Sequence, residues 1–134
     1  MDKKITDQLL KAADEAREHC YAPYSNYRVG CAVLLEDGSI VTGVNIENAA
    51  YGVVLCAERS AMASVISNGR GKTVKALAVV TNASPPGSPC GMCRQFLSEF
   101  VSKDFPIVLG NGQEVVFSTM GELLPFAFDM AVPH

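Results

Sequence analysis

Apolar positions in the first twenty residues fall three and four apart. Ile5, Leu9, Leu10, Ala12, Ala13 and Ala16 share one face of a helix predicted from Ile5 to about Tyr21, with acids and bases opposite. Ala22-Pro23-Tyr24-Ser25-Asn26 ends it, because proline and Ser-Asn break a helix and favour a turn. Arg28 to Glu36, rich in valine and leucine, reads as a strand. Asp37-Gly38 is a hairpin turn into a second strand from Ser39 to about Asn45. Cys56 to about Asn68 is an alanine-rich helix closed by Gly69-Arg70-Gly71. Val74 to Thr81 is mostly apolar and bounded by turn residues, the pattern of a buried central strand. A loop with Pro85, Pro86, Gly87 and Pro89 leads to a helix from Cys90 to about Val101. Pro106–Leu109 and Glu114–Ser118 are two strands joined at Gly110-Asn111-Gly112. Glu122 to Pro125 allows at most one helical turn before an aromatic tail. The order α-β-β-α-β-α-β-β predicts a three-layer α/β/α sandwich around a mixed five-stranded sheet.

Length adds that residues 1–134 suit one domain with a single core. Apolar residues make up 49% and charged residues 19%, the balance of an ordered globular chain. A net charge of −3 argues against nucleic-acid or membrane-surface binding, either of which calls for a basic stripe. No apolar run is long enough to span a bilayer, and Met1-Asp2-Lys3-Lys4 lacks the pattern of a signal peptide. A cytoplasmic protein is expected. Five cysteines, an odd number with two spaced C-x-x-C, fit a secreted disulfide framework poorly and point to metal or redox chemistry.

Cys56, Cys90 and Cys93 lie at the predicted starts of two helices. Cys90 and Cys93 are three apart, so on a first helical turn their sulfurs share a face. Cys56 opens the other helix and offers a third thiolate. Three ligands leave one tetrahedral position for water, the arrangement of a catalytic zinc, one per chain. Helix N-termini lower thiol pKa values and favour the ionised sulfurs. The net negative charge of such a centre calls for a nearby cation. Of Arg59 and Arg94, Arg59 is expected to donate to the sulfurs, with Gln95 assisting. Glu58 follows Cys56 by two residues and is placed to move protons to and from a water at the metal. A redox pair leaves Cys56 and its adjoining acid without a role. A structural zinc lacks a fourth ligand: His19 reads as a solvated helix-end residue, His134 as tail, Cys31 as core and Cys20 as a free or half-buried thiol.

Cys56-Ala57-Glu58-Arg59 with Pro89-Cys90-Gly91-Met92-Cys93-Arg94-Gln95 resembles the zinc deaminase signature. From Tyr21 to Pro125 the chain is similar to the short, homotetrameric cytidine deaminases, and Asn45-Ile46-Glu47-Asn48-Ala49-Ala50-Tyr51 is the segment that points to a nucleoside. The resemblance implies hydrolysis of cytidine and 2′-deoxycytidine in pyrimidine salvage, with attack of zinc-bound hydroxide at carbon 4. It implies Asn45 and Glu47 on the ribose 3′-hydroxyl, and Ala49 and Tyr51 near the 5′-hydroxyl from a neighbouring subunit. It also implies the Ala57 backbone near the base oxygen, Tyr27 where relatives commonly carry a base-packing phenylalanine, and Phe128, or else Phe126, capping the base from another subunit. A blasticidin S deaminase of the same fold lacks the nucleoside segment and the arginine after the acid. A polynucleotide deaminase needs a basic, aromatic-lined channel. A non-catalytic zinc module would bind zinc without turnover.

Overall fold

A computed structural model describes residues 1–130, so His134 lies outside the described residues. Helix α1 spans Lys3–Ala16, β1 Gly30–Leu35, β2 Ile40–Val44, α2 Ala57–Ser67, β3 Val74–Val80, α3 Gly91–Ser98, β4 Pro106–Gly110, β5 Val115–Thr119 and α4 Met120–Leu123. The strands form one sheet in the order β2-β1-β3-β4-β5. Only β3 and β4 run parallel, and α3 lies in the connection between them.

Alternation along the strands builds the layers. Cys31, Val33, Leu35, Leu77, Val79, Ile107 and Leu109 face one way and bury against α2 and α3. Ala32, Leu34, Ala76, Ala78, Val80 and Val108 face the other way and receive Leu9 and Ala13 of α1. The sheet is thus covered on both faces, as the three-layer reading requires, and the apolar run Val74–Val80 is its central strand.

Helix α1 begins where Asp2 accepts a hydrogen bond from the Lys4 N–H at 2.8 Å. It ends at Ala16, before a 3-10 turn at Arg17–His19, and so stops short of the expected Tyr21. Tertiary pairing outweighs the local helical pattern there. The Tyr21 N–H donates to the Asn45 carbonyl at 3.0 Å and its carbonyl accepts from the Glu47 N–H at 2.8 Å. The Arg28 guanidinium bonds the carbonyls of Arg17 and Glu18. Strand β1 likewise begins at Gly30, because the Arg28 and Val29 N–H groups are taken by the side chains of Asn82 and Asn45.

Gly43 sets the height of α2 over the sheet. A Cβ built on Gly43 would overlap the Ala61 backbone nitrogen and come within 2.7 Å of the Ala57 carbonyl oxygen. These are helix backbone atoms, locked in their own ladder, and cannot swing aside. Gly43→Ala is therefore expected to cost about 3 kcal/mol of stability, as overpacking does. Urea unfolding would check it, and an unchanged midpoint would show that α2 can lift without loss. Among the described residues, no helix is long and apolar enough to cross a membrane.

Candidate active site

The end of β2, the start of β1 and the end of β3 meet at one edge of the sheet, since both β2 and β3 run antiparallel to β1. Helices α2 and α3 start there, where open α/β sheets commonly place ligands. Cys56 is the N-cap residue of α2, Cys90 is that of α3, and Cys93 lies in the first turn of α3. Their three sulfurs lie within 4.8 Å of one another, and Cys56 Sγ is 3.9 Å from Cys90 Sγ. A tetrahedral zinc with Zn–S bonds of about 2.3 Å would separate its sulfurs by about 3.8 Å, so the donor set fits the metal. All five cysteines are free, and among the described residues no other set of His, Cys, Asp or Glu gathers in this way. Cys31 is buried in β1, Cys20 is half-buried and His19 is exposed.

The cluster is electrostatically uneven. The hydrogen bond from the Cys93 thiol, aided by Arg59 and Cys90 and opposed by burial, holds Cys56 down at about 5. Cys93 moves the opposite way, because its proton is held in that hydrogen bond, it is buried, and it faces the negative charges of Glu58 and Cys56. Without a metal, the Cys56–Cys93 pair keeps a proton in its shared hydrogen bond. Metal uptake must displace that proton, so zinc affinity is expected to rise at least about tenfold per pH unit between about pH 6 and 8. Competition with a chromophoric chelator across that range measures the slope, and a flat response would exclude Cys93 as a ligand.

Arg59 donates from Nη2 to Cys56 Sγ at 3.6 Å and to the Val54 carbonyl at 3.3 Å. Its buried Nε has no protein partner. Arg94 has a different task from balancing sulfur charge. It donates to the carbonyls of Pro89 at 2.7 Å and Leu123 at 2.6 Å and to Ser88 Oγ at 2.8 Å, tying the loop before Cys90 to α4. Gln95 also points elsewhere than expected, its amide donating to the Phe128 carbonyl at 3.1 Å. With Cys90 as the N-cap of α3, Gln95 falls on a part of the helix that faces the C-terminal segment.

Glu58, in the first turn of α2, is 4% exposed. Burial, reinforced by the charge of Cys56 and opposed by its own backbone N–H, Arg59 and Cys93, raises its carboxyl to about 7. It lines a cavity of about 150 Å³ with Tyr27, Asn45, Cys56, Ala57 and Cys90. A second pocket of about 380 Å³ shares Asn45 and Cys56 with the first and extends past Glu47 to Tyr24 and Tyr51. The two adjoin at Asn45 and Cys56, and the smaller one reaches the buried acid.

Asn45 and Glu47 are also structural. Asn45 Oδ1 accepts from the Val29 N–H at 2.9 Å and its Nδ2 donates to the Tyr27 carbonyl at 2.6 Å. Glu47 Oε1 accepts from the N–H groups of Tyr24 at 2.9 Å and Ser25 at 3.2 Å, and Oε2 accepts from the Ser25 hydroxyl. That hydroxyl, with the two backbone donors, holds the Glu47 carboxyl below its ordinary range. Sequence reasoning missed Ser25 and Tyr24 as its partners; the only signal was their place in the turn after Pro23. Ala49 is exposed and lines neither pocket, while Tyr51 stands 81% exposed at the rim of the larger one. Phe128 and Phe126 are exposed and border a separate groove beside Gln95.

A mixed five-stranded sheet with three sulfurs at two helix N-termini, and a buried acid beside them, has the parts of a metal-dependent hydrolase. Residues 3–109 match the family model described as the cytidine and deoxycytidylate deaminase zinc-binding region, and the chain belongs to that family. It is 46% identical over 129 residues to the cytidine deaminase of Halalkalibacterium halodurans, covering 96% of this chain and 95% of the relative. The crystal structure of cytidine deaminase from Burkholderia pseudomallei is similar with a TM-score of 0.88 and 43% identity, covering 96% of this chain and all of that one. Blasticidin-S deaminase of Bacillus cereus is similar at 32% identity over 133 residues, covering 92% of this chain and 94% of the relative.

Proposed function

We propose that this chain, as a single domain, hydrolyses cytidine and 2′-deoxycytidine to uridine and 2′-deoxyuridine with release of ammonia. The observation that carries the reading is Glu58, a buried carboxyl raised to about 7 beside three clustered sulfurs. Cys56, Cys90 and Cys93 would hold zinc, which when bound supplies a Lewis acid that makes water acidic near neutral pH. A carboxyl that titrates near neutrality can both take and give a proton. Glu58 accepts a proton from the attacking water and delivers it to the ring nitrogen as carbon 4 becomes tetrahedral. It then takes the proton of the new hydroxyl on carbon 4 and passes it to the amine, which leaves as ammonia while the carbonyl forms. Arg59 offsets the negative charge of the sulfurs from behind. The backbone N–H of Ala57, in the first turn of α2, is free of the helical ladder and suits the base oxygen.

Asn45 and Glu47 are assigned to the ribose 3′-hydroxyl. Both line the larger pocket, and their bonds to the 24–29 segment hold them rigid while leaving acceptor capacity. Tyr27 packs on the base. Ala49, Tyr51 and Phe128 are exposed on this chain, which suits residues that complete a neighbouring subunit's site in a homotetramer. The enzyme is placed in the cytoplasm, acting on free nucleosides and not on nucleic acid. The test is the ultraviolet change on mixing zinc-loaded protein with cytidine. Conversion to uridine supports the reading. A folded, zinc-loaded protein that leaves cytidine unchanged overturns the substrate, and blasticidin S is then the compound to assay.

A further inference from the structure

Tyr27 closes one side of the Glu58 cavity, and its hydroxyl rests where a neighbouring residue has no side chain. A Cβ built on Gly87 would overlap Tyr27 Oη outright, and would lie 3.1 Å from both Cγ2 and Oγ1 of Thr81. Gly87 does not adopt the left-handed backbone that favours glycine at Gly38, Gly69 and Gly112. Backbone conformation therefore does not require a glycine here. The missing side chain makes room for the tyrosine hydroxyl.

Neither partner is free to retreat at its backbone. The Gly87 N–H donates to Oγ1 of buried Thr81 at 3.1 Å, and the same oxygen accepts from the Ala83 N–H at 3.2 Å. Thr81 is in turn bonded through its N–H to the Gly110 carbonyl at 3.1 Å, at the end of the parallel β3–β4 pair. On the other side, the Tyr27 N–H donates to Ser25 Oγ at 3.0 Å, and its carbonyl accepts from Asn45 at 2.6 Å. With both backbones held, a side chain at residue 87 must be relieved by moving the Tyr27 ring. That ring is a wall of the cavity holding Glu58.

We propose that Gly87 is a positioning residue for Tyr27: the absence of a side chain there seats a tyrosine against the base-binding cavity and sets the width of that cavity. The proposal rests on the reading of Tyr27 as the ring that packs on the base. The test is a double-mutant cycle of wild type, Gly87→Ala, Tyr27→Phe and the double variant, read by Tm and by steady-state kinetics on cytidine. Removing the hydroxyl vacates the space a methyl group needs, so the effects of the two changes are coupled. In the tyrosine background Gly87→Ala is expected to lower Tm by about 5 °C and raise KM about tenfold, with kcat held within about threefold. In the Tyr27→Phe background the same change is expected to move Tm by about 1 °C and KM by about twofold.

Equal effects of Gly87→Ala in the two backgrounds, or failure to fold in both, would overturn the proposal, since Gly87 would then act through the loop alone. The Tm cycle needs no substrate. Coupling in Tm with no turnover of cytidine by any of the four proteins would sink the proposed activity and leave the Gly87–Tyr27 pair standing.

Discussion

Glu58→Gln is expected to lower kcat on cytidine by about 10⁴-fold while zinc remains at one per chain. Glutamine keeps the shape and hydrogen-bonding span of the carboxyl but cannot carry a proton. The metal would be held by the sulfurs of Cys56, Cys90 and Cys93, which the change does not touch. Single-turnover spectrophotometry with metal analysis of the same samples reads both quantities. Turnover above a tenth of wild type in the zinc-loaded variant would remove Glu58 from the proton path.

The same substitution has a second expected signature in the metal-free protein. Burial holds the Glu58 carboxyl at about 7, above its ordinary 4.5. The folded state therefore binds the proton more tightly than the unfolded chain does. Stability from this group is fully present below pH 4.5 and is lost as pH rises towards 7. The loss is on the order of 3 kcal/mol. Glutamine does not ionise, so in chelator the variant is expected to be more stable than wild type near pH 8, with the two curves converging near pH 4. Urea titrations at the two pH values measure the difference. Parallel curves would mean that Glu58 ionises in the fold as freely as in water.

Cys93→Ala is expected to abolish zinc binding and to lower the Tm of the purified protein by roughly 12–16 °C. A metal present at about a thousand times its Kd stabilises the folded state by about 4 kcal/mol, and each kcal/mol is worth roughly 3–4 °C in a chain of this size. Cys93 is wholly buried, so the change also leaves a small void in the packing. The chelator response separates the two contributions. Wild type treated with chelator should fall nearly to the variant's Tm, and the variant should not respond. Retention of one zinc per chain would place the third ligand elsewhere.

Much of the fold could be read because its signals are local. The valine- and leucine-rich stretch around Gly30–Leu35, the mostly apolar run of Val74–Val80 and the Asp37-Gly38 turn each depend on a few adjacent residues. The structure reproduces all three. Local pattern and structure part where distant groups compete for the backbone. The Ala22-Pro23 turn predicts a helix running up to Tyr21, but Tyr21 is drawn into pairing with Asn45 and Glu47 more than twenty residues away. Gln95 is expected to assist Arg59 at the sulfurs. In the fold the helix carries it round to Phe128. Arg94 has the same sequence neighbours as the ligands and instead braces the Pro89 and Leu123 carbonyls.

The sequence by itself determined the donor chemistry. Cys90 and Cys93 share one helical turn, and the two residues from Cys56 to Glu58 put an acid beside a ligand, because helical geometry acts over three or four residues whatever surrounds it. Only the tertiary structure decided that Cys56 joins the other pair, that Glu58 is buried enough to titrate near 7, and that Glu47 spends part of its carboxylate on Ser25. Each of these depends on α2 lying close over Gly43 or on loops meeting at the sheet edge. Burial and hydrogen-bond partners are properties of space shared by distant segments, and adjacent residues carry no record of them.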